Sequence, residues 1–526
     1  MAGSKIFTLR WRHACMLFWI TIPWVLLSQE RVAGGDEPDA ATRERVRTMA
    51  ARIDHWVAQG LAQNGLTASP PADDVAWFRR VHLDLWGSNP EPTAIAAFVS
   101  DQASDKRERQ VWSMLRSIGH ARHLSDLWTG MLLPGDQSGI PNVQRESLRR
   151  WIFARFAENQ RYDRIVGDLL VSRGNPAEQP TAFYTSLELK PEKLAERTSR
   201  IFLGVALDCA QCHDHPFESW KQTDFWSLAA YFSQVTSNNN ASRMSMQSVT
   251  DRESGEVTLP ETTTTVAPRP LIREMSDGLQ SGTRRQQLAV WLTSKENHYF
   301  LKATVNRIWS FMMGRGLVEP VDDLGTQAKH THPELLTDLS EFFRDSQFDI
   351  RLVQAAIAMS ATYGRSTSVV SPAPDPRWFA SMLPKPLTSR QMARCLRQAA
   401  RDKQPSSGEE DLWTRLAAQL GTIRGDGSAY SAGVLQSLLT QHGDSIHQLV
   451  DASTSRLLSA LHAPHLSPTQ RVDWMYLAVL SRTPSAQERQ RIESFLKPEP
   501  EGPSIAAWES DLLWALINST EFAMTP

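Results

Sequence analysis

The sequence predicts a mainly α protein: two helical domains joined by an irregular segment that can hold a small β-hairpin. Three observations lead there. Apolar residues recur at spacings of three and four over long stretches, Ser/Thr-x-x-Glu/Gln capping signals precede several of them, and one polar, proline-bearing stretch interrupts the rhythm. At 526 residues the chain is long enough for two or three sizeable cores. Its 41% hydrophobic and 22% charged content is that of a globular protein and excludes disordered and collagen-like classes. A net charge of -2 supplies no basic footprint, so nucleic acid is not an expected partner. Four cysteines in a chain of this size do not make a disulfide framework.

The elements follow in chain order. Lys5, Arg10 and Arg12 precede an apolar run from Ala14 to Leu27, and Ala33, Gly34 and Gly35 come after it, which is the order of a secretory signal. The run is shorter than the roughly 20 residues that a membrane-spanning helix needs. Residues 1–34 therefore read as a signal peptide or, because Glu30 and Arg31 sit close to the cleavage region, as an uncleaved amino-terminal anchor. Membrane contact is expected only there, and the rest of the chain is expected outside the cytoplasm, whether periplasmic, at the cell surface or secreted. Val46, Met49, Ile53, Val57 and Leu61 mark an amphipathic helix that closes at Asn64-Gly65, and Leu148, Trp151, Ile152 and Phe156 mark another. Leu194, Ile201, Val205 and Cys209 share a face of a helix running from about Pro191. These elements make a first domain of residues 40–235.

Residues 236–281 carry Asn238-Asn239-Asn240, threonines from Thr262 to Thr265, Pro268 and Pro270, a linker composition. Within it Met244 and Met246, then Val257 and Leu259, alternate on either side of Asp251 to Gly255, which suits a hairpin. The second domain spans 282–526. Thr388 with Gln391, Ser467 with Gln470, and Ser485 with Glu488 open helices there. Cys395 shares an apolar face with Met392, Leu396 and Ala399, the setting of a buried reduced thiol. Pro372 to Pro386 is expected at the surface, and Trp151, Trp309 and Trp514 as packing residues.

Cys209-Ala210-Gln211-Cys212-His213 is the sharpest chemical signal. The chain's own residue counts give roughly 0.0006 chance occurrences of this pattern. Its spacing suits covalent haem c, in which two thiols add to the two vinyl groups and the adjacent imidazole ligates the iron. Export agrees with that chemistry, and Phe217, Trp220, Phe225 and Trp226 could wall a flat apolar cofactor. His215, Met244 and Met246 are the candidate distal ligands. Two other readings stay open. Cys209, Cys212, His213 and His215 form a CxxCHxH set with ligands for zinc, and the two thiols alone could be a structural pair with no cofactor.

The chain from Phe202-Leu203-Gly204 through Asp208-Cys209-Ala210-Gln211-Cys212-His213-Asp214-His215-Pro216-Phe217, with Trp220 and Leu228-Ala229-Ala230-Tyr231-Phe232, resembles the cytochrome-associated domain of unknown function abundant in planctomycetes. Arg79-Arg80-Val81-His82-Leu83-Asp84-Leu85 matches the same domain. The second half resembles its usual companion domain through Ala303-Thr304-Val305-Asn306-Arg307-Ile308-Trp309, Gly314-Arg315-Gly316-Leu317-Val318, Asp323, His332-Pro333-Glu334-Leu335-Leu336 and the ending Leu513 to Phe522. The resemblance implies the two-domain division and an association with cytochromes, with a cytochrome c-type redox partner or an exported sulfatase-like protein as the partners it suggests. It implies no settled reaction: the leading expectation is an exported protein with a redox or electron-transfer role, and the alternative is a non-redox cell-surface or polysaccharide-processing component in which CxxCHxH is a structural or metal-binding staple. Many relatives carry a further cytochrome c module that is not found in this sequence, which leaves the pentapeptide as the one candidate haem site.

Among the second domain's matching blocks, Asp322, Asp323 and His332 could do acid/base work or hold a cation. A structural reading is stronger: Asn306 and Arg307 anchor loop backbone, Gly314 and Gly316 permit a tight turn, and His332-Pro333 caps the helix starting near Glu334. No phosphate-cradling loop, nucleophile elbow or HExxH helix occurs.

Overall fold

A computed structural model of the chain describes residues 37–133, 140–238, 248–272, 281–325, 329–368, 373–399, 441, 443–462, 466–495 and 505–526. Residues 1–34, the expected signal peptide or anchor, with Cys15 among them, and the candidate ligands Met244 and Met246 lie outside the described residues. Helices dominate, and the only sheets among the described residues are three two-stranded antiparallel pairs. No described helix is long and apolar enough to cross a membrane.

The helices form where the periodicity and caps place them. Helix Ala40–Gln63 starts at Asp39, whose carboxylate accepts from Thr42 N at 2.8 Å, and ends at Asn64 with Gly65 at φ 64. Its buried side includes Val46, Met49, Ile53, Val57 and Leu61, all at 4% exposure or less. The reciprocal cap bonds of Thr388 with Gln391, Ser467 with Gln470 and Ser485 with Glu488 are all formed. Each such cap contributes about 1 kcal/mol by pairing amides that the first helical turn leaves without partners.

The packing boundary differs from the sequence boundary. One continuous core runs from Val46 to Met382 and takes in helices from both sides of residues 236–281. Helix His298–Met313 packs on Pro333–Asp345, on Ile350–Met359 and on the turn Ser199–Leu203, while Ile350–Met359 also packs on Ala40–Gln63. A second core holds Leu387 to Phe522 and borrows Leu83 from helix Asp74–Leu85, which makes that helix the seam between the two. Trp309, fully buried, anchors the first core edge-on to Phe379, with ring centroids 5.2 Å apart. Full burial of a large apolar side chain of this kind contributes about 1.5–3 kcal/mol.

Four expectations need correction. Residues 248–251 pair back onto 235–238, and Val257–Thr258 pairs with Thr265–Val266, so two hairpins replace the one turning at Asp251 to Gly255. The helix from Pro191 does not reach Cys209; it ends at Gly204. The stretch before Pro386 is not a surface loop, because Phe379, Ala380 and Met382 are buried. Trp514 is 37% exposed and donates to the Gln441 carbonyl, so it is only partly a packing residue, whereas Trp151 lies half-buried under Arg155.

Candidate functional site

The pentapeptide begins where a helix fails. Helix Pro191–Thr198 has proline at its first position, runs into a wider π turn over Ser199–Leu203 and stops at Gly204, which is left-handed at φ 61. A side chain there would also meet Leu324: a Cβ would lie 2.8 Å from its Cγ. Gly204 O accepts from Leu324 N at 2.7 Å, so the stop is locked onto the second sequence domain. Only glycine suits both the backbone angle and the contact.

From here the chain alternates in burial. Val205 and Leu207 turn into the core, and Asp208–Gln211 makes one 3-10 turn that buries Ala210 completely. Cys209 and Cys212 thereby face solvent, both as free thiols, and His213 is exposed beside them. Beneath the turn Arg200 pairs with Asp208 and, at 3.3 Å, with Asp322. Arg307 donates to the carbonyls of Arg200 and Ile201, each at 3.4 Å. The two sequence domains thus meet under the motif.

On the other side helix Gln222–Ala230 grips the motif by its carbonyls. Gln222 Nε2 donates to Cys212 O at 2.9 Å and Gln211 O at 3.3 Å, and Trp226 Nε1 donates to Gln211 O at 3.0 Å. The backbone N–H of Gln222 donates to the Asp214 carboxylate at 2.9 Å.

The two histidines differ in the ring nitrogen they have left. His213 Nδ1 lies 2.8 Å from Asp214 O. A carbonyl can only accept, so Nδ1 carries the hydrogen and the neutral ring keeps its lone pair on Nε2. His215 Nδ1 is approached by the amides of Glu218 at 3.0 Å and Phe217 at 3.3 Å. Amides can only donate, so this Nδ1 is the acceptor and Nε2 carries the hydrogen. His215 would have to abandon both bonds, or move its proton, to serve as a distal or zinc ligand. Among the described residues no three His, Cys, Asp or Glu side chains are arranged to hold a metal ion, so the CxxCHxH set is not assembled as a closed site.

The expected aromatic wall divides. Phe225 is fully buried and belongs to the core, Trp220 leans on Tyr299 with centroids 6.1 Å apart, and Phe217 is 72% exposed at the tip of the turn.

The acid/base candidates are not brought together. Asp322 serves Arg200, Asp323 accepts from Gly325 N at 3.3 Å, and His332 is buried against Trp378 and Phe379. Burial lowers the His332 imidazole to about 4. Its helix starts at Pro333, and the His332 side chain makes no cap bond, contrary to the capping role expected of it. The anchoring role of Asn306 holds: Nδ2 donates to Val318 O at 2.9 Å and Oδ1 accepts from Val318 N at 3.0 Å. Cys395 is fully buried, and burial pushes its thiol up to about 11, which removes it from chemistry near neutral pH.

Sequence reasoning missed Arg200 and Gln222. Arg200 precedes Asp208 by eight residues and meets Asp322 only through the fold, so no local pattern marks it. Gln222 offers a weak signal as a polar residue at a helix start.

Comparison with protein-family models matches residues 52–237 to PSCyt2, a protein of unknown function (DUF1549), and residues 284–419 to PSD1, a protein of unknown function (DUF1553). No curated protein and no solved structure matches the chain.

Proposed function

From a chain that belongs to the proteins joining a PSCyt2 domain to a PSD1 domain, we propose an extracytoplasmic electron-transfer protein that binds haem c covalently through Cys209, Cys212 and His213. The observation that carries this reading is the donor set: two open thiols on one turn, followed by an imidazole whose Nδ1–H is held by a backbone carbonyl at 2.8 Å, leaving Nε2 as the ligand atom. Metal-binding histidines characteristically have this second-shell bond. Each thiol can add its S–H across a vinyl group without any oxidant. Haem bound there would supply a one-electron couple tuned by its axial ligands and exposure. The charge and apolar order of residues 1–34 supports export, and a cytochrome c-type protein is the proposed redox partner.

The second axial ligand is proposed to come from Met244 or Met246 rather than from His215, whose Nδ1 is committed to two amides. Met244→Ala and Met246→Ala should each be compared with wild type by visible spectroscopy. An unchanged spectrum in both would remove these two candidates.

The reading is tested by purifying the protein from a host that matures c-type cytochromes, denaturing it and extracting with acidified acetone. Colour should stay with the polypeptide and vanish in the Cys209→Ala, Cys212→Ala double variant. A colourless wild-type protein would overturn the proposal. Metal analysis and thiol titration would then separate a zinc site from a dithiol staple.

A further inference from the structure

We infer that Gln222 is a positioning residue that sets the ring tautomer of His213. The inference rests on the reading of His213 as an iron ligand, but it concerns a property that the apoprotein already has.

His213 is held from both neighbours. Before it, the Cys212 carbonyl accepts from Gln222 Nε2 at 2.9 Å; after it, the Asp214 carboxylate accepts from Gln222 N at 2.9 Å. Gln222 is the first residue of its helix, so the amide it presents to Asp214 is one that the helix cannot satisfy internally. A negative side chain there is also favoured by the helix dipole. With the residues on each side fixed, the Asp214 carbonyl is held where it receives His213 Nδ1–H at 2.8 Å. That bond puts the hydrogen on Nδ1 and the lone pair on Nε2.

The glutamine side chain donates to the motif twice. Its Nε2 also reaches Gln211 O at 3.3 Å, the carbonyl that Trp226 Nε1 takes at 3.0 Å. Helix start and tautomer are therefore separable. Gln222→Glu keeps the backbone N–H and the side-chain length but replaces the donor by a carboxylate facing two carbonyls. Trp226→Phe removes only the indole bond, one residue farther from His213.

The test is long-range proton–nitrogen NMR of His213 in the apoprotein, at a pH where the ring is neutral. In wild type the Nδ1–H tautomer should predominate. In Gln222→Glu and Gln222→Ala its ratio to the Nε2–H form should fall about two- to tenfold, the equilibrium change that one net hydrogen bond is worth. Trp226→Phe should give a smaller fall in the same direction. Circular dichroism checks that each variant is folded, and a variant that unfolds leaves the question to the other two. An unchanged ratio in the folded Gln222 variants would overturn the inference, as would an unchanged ratio in Trp226→Phe if that were the only folded one. A wild-type protein that takes up no haem yet shows the tautomer shift would remove the proposed function and leave the positioning role standing.

Discussion

Two short stretches of the first sequence domain, Arg79 to Leu85 and Cys209 to His213, are both rich in polar groups, yet the fold treats them oppositely. In the first, every charged group goes inside and is paired. Arg79 donates to Asn89 Oδ1 and to the carbonyls of Glu521 and Phe522. Arg80 donates to the carbonyls of Pro526, Tyr363 and Arg365. His82 binds Phe78 O at 2.9 Å, and Asp84 takes both Lys385 Nζ at 2.5 Å and Tyr363 OH at 2.8 Å. In the second stretch only Ala210 is inside, while the thiols and the imidazole face out. Polar side chains saturated by internal partners stitch the two cores together; reactive groups left open are the ones available for chemistry.

The largest expected effect lies at the seam. Burial pushes the Asp84 carboxyl up and the Lys385 ammonium down, and the pair is held by their mutual contact together with the Tyr363 hydroxyl on Asp84 and the Phe311 and Met312 carbonyls on Lys385. Asp84→Ala leaves a buried cation without its countercharge and should cost about 3–5 kcal/mol in denaturant unfolding. Cys209→Ala and Cys212→Ala in the apoprotein should each stay within about 0.5 kcal/mol, because nothing internal depends on those thiols. Comparable losses at the two places would break the contrast.

Acid sharpens it next. Burial holds His82 and His332 at about 4 and His120 and His123 at about 3, all below the ordinary 6.5. Below pH 6.5 the unfolded chain takes up protons that the folded chain refuses, so stability falls as pH falls toward those values and is steady above 6.5. Between pH 6.5 and 5 each histidine should remove about 1.6 kcal/mol. Unfolding free energies measured across this range should show the fall; a flat profile would contradict the burial of all four rings.

A smaller effect is expected at Gly204. Gly204→Ala puts a Cβ into a left-handed position, at about 1–2 kcal/mol, and against Leu324. Adding Leu324→Ala should relieve only the contact, so thermal melts of the single and double variants separate the two costs. The smallest energetic stake is carried by a labelling experiment. In native apoprotein, Cys209 and Cys212 should react with a maleimide within minutes and Cys395 only on unfolding, and fast labelling of the Cys395 peptide, located by mass mapping, would overturn its place in the second core.

Helices, caps and the burial of Cys395 were legible because each is written in local spacing: Ser467 and Gln470 announce a cap three residues apart, and Val46 to Leu61 announce a face. What was not legible depends on distant partners. The periodicity from Leu194 to Cys209 continues past Gly204, but the contact with Leu324 stops the helix. Strand 248–251 pairs with 235–238 rather than with its downstream neighbour, since short polar strands carry little register information. The linker composition of 236–281 marks a boundary between family matches, yet the core runs on through Trp309 to Met382, because apolar faces on both sides of it are buried together. At the site, the pentapeptide was visible at once, whereas the tautomers of His213 and His215 depend on which backbone group each ring meets.

The central claim is covalent haem on the open turn, and intact-mass measurement of the denatured protein from a cytochrome-maturing host tests it most directly. The wild type should carry the added mass of one haem, and the Cys209→Ala, Cys212→Ala variant the mass of the bare polypeptide. Wild-type protein at the bare mass, with both thiols still open to alkylation, would contradict it.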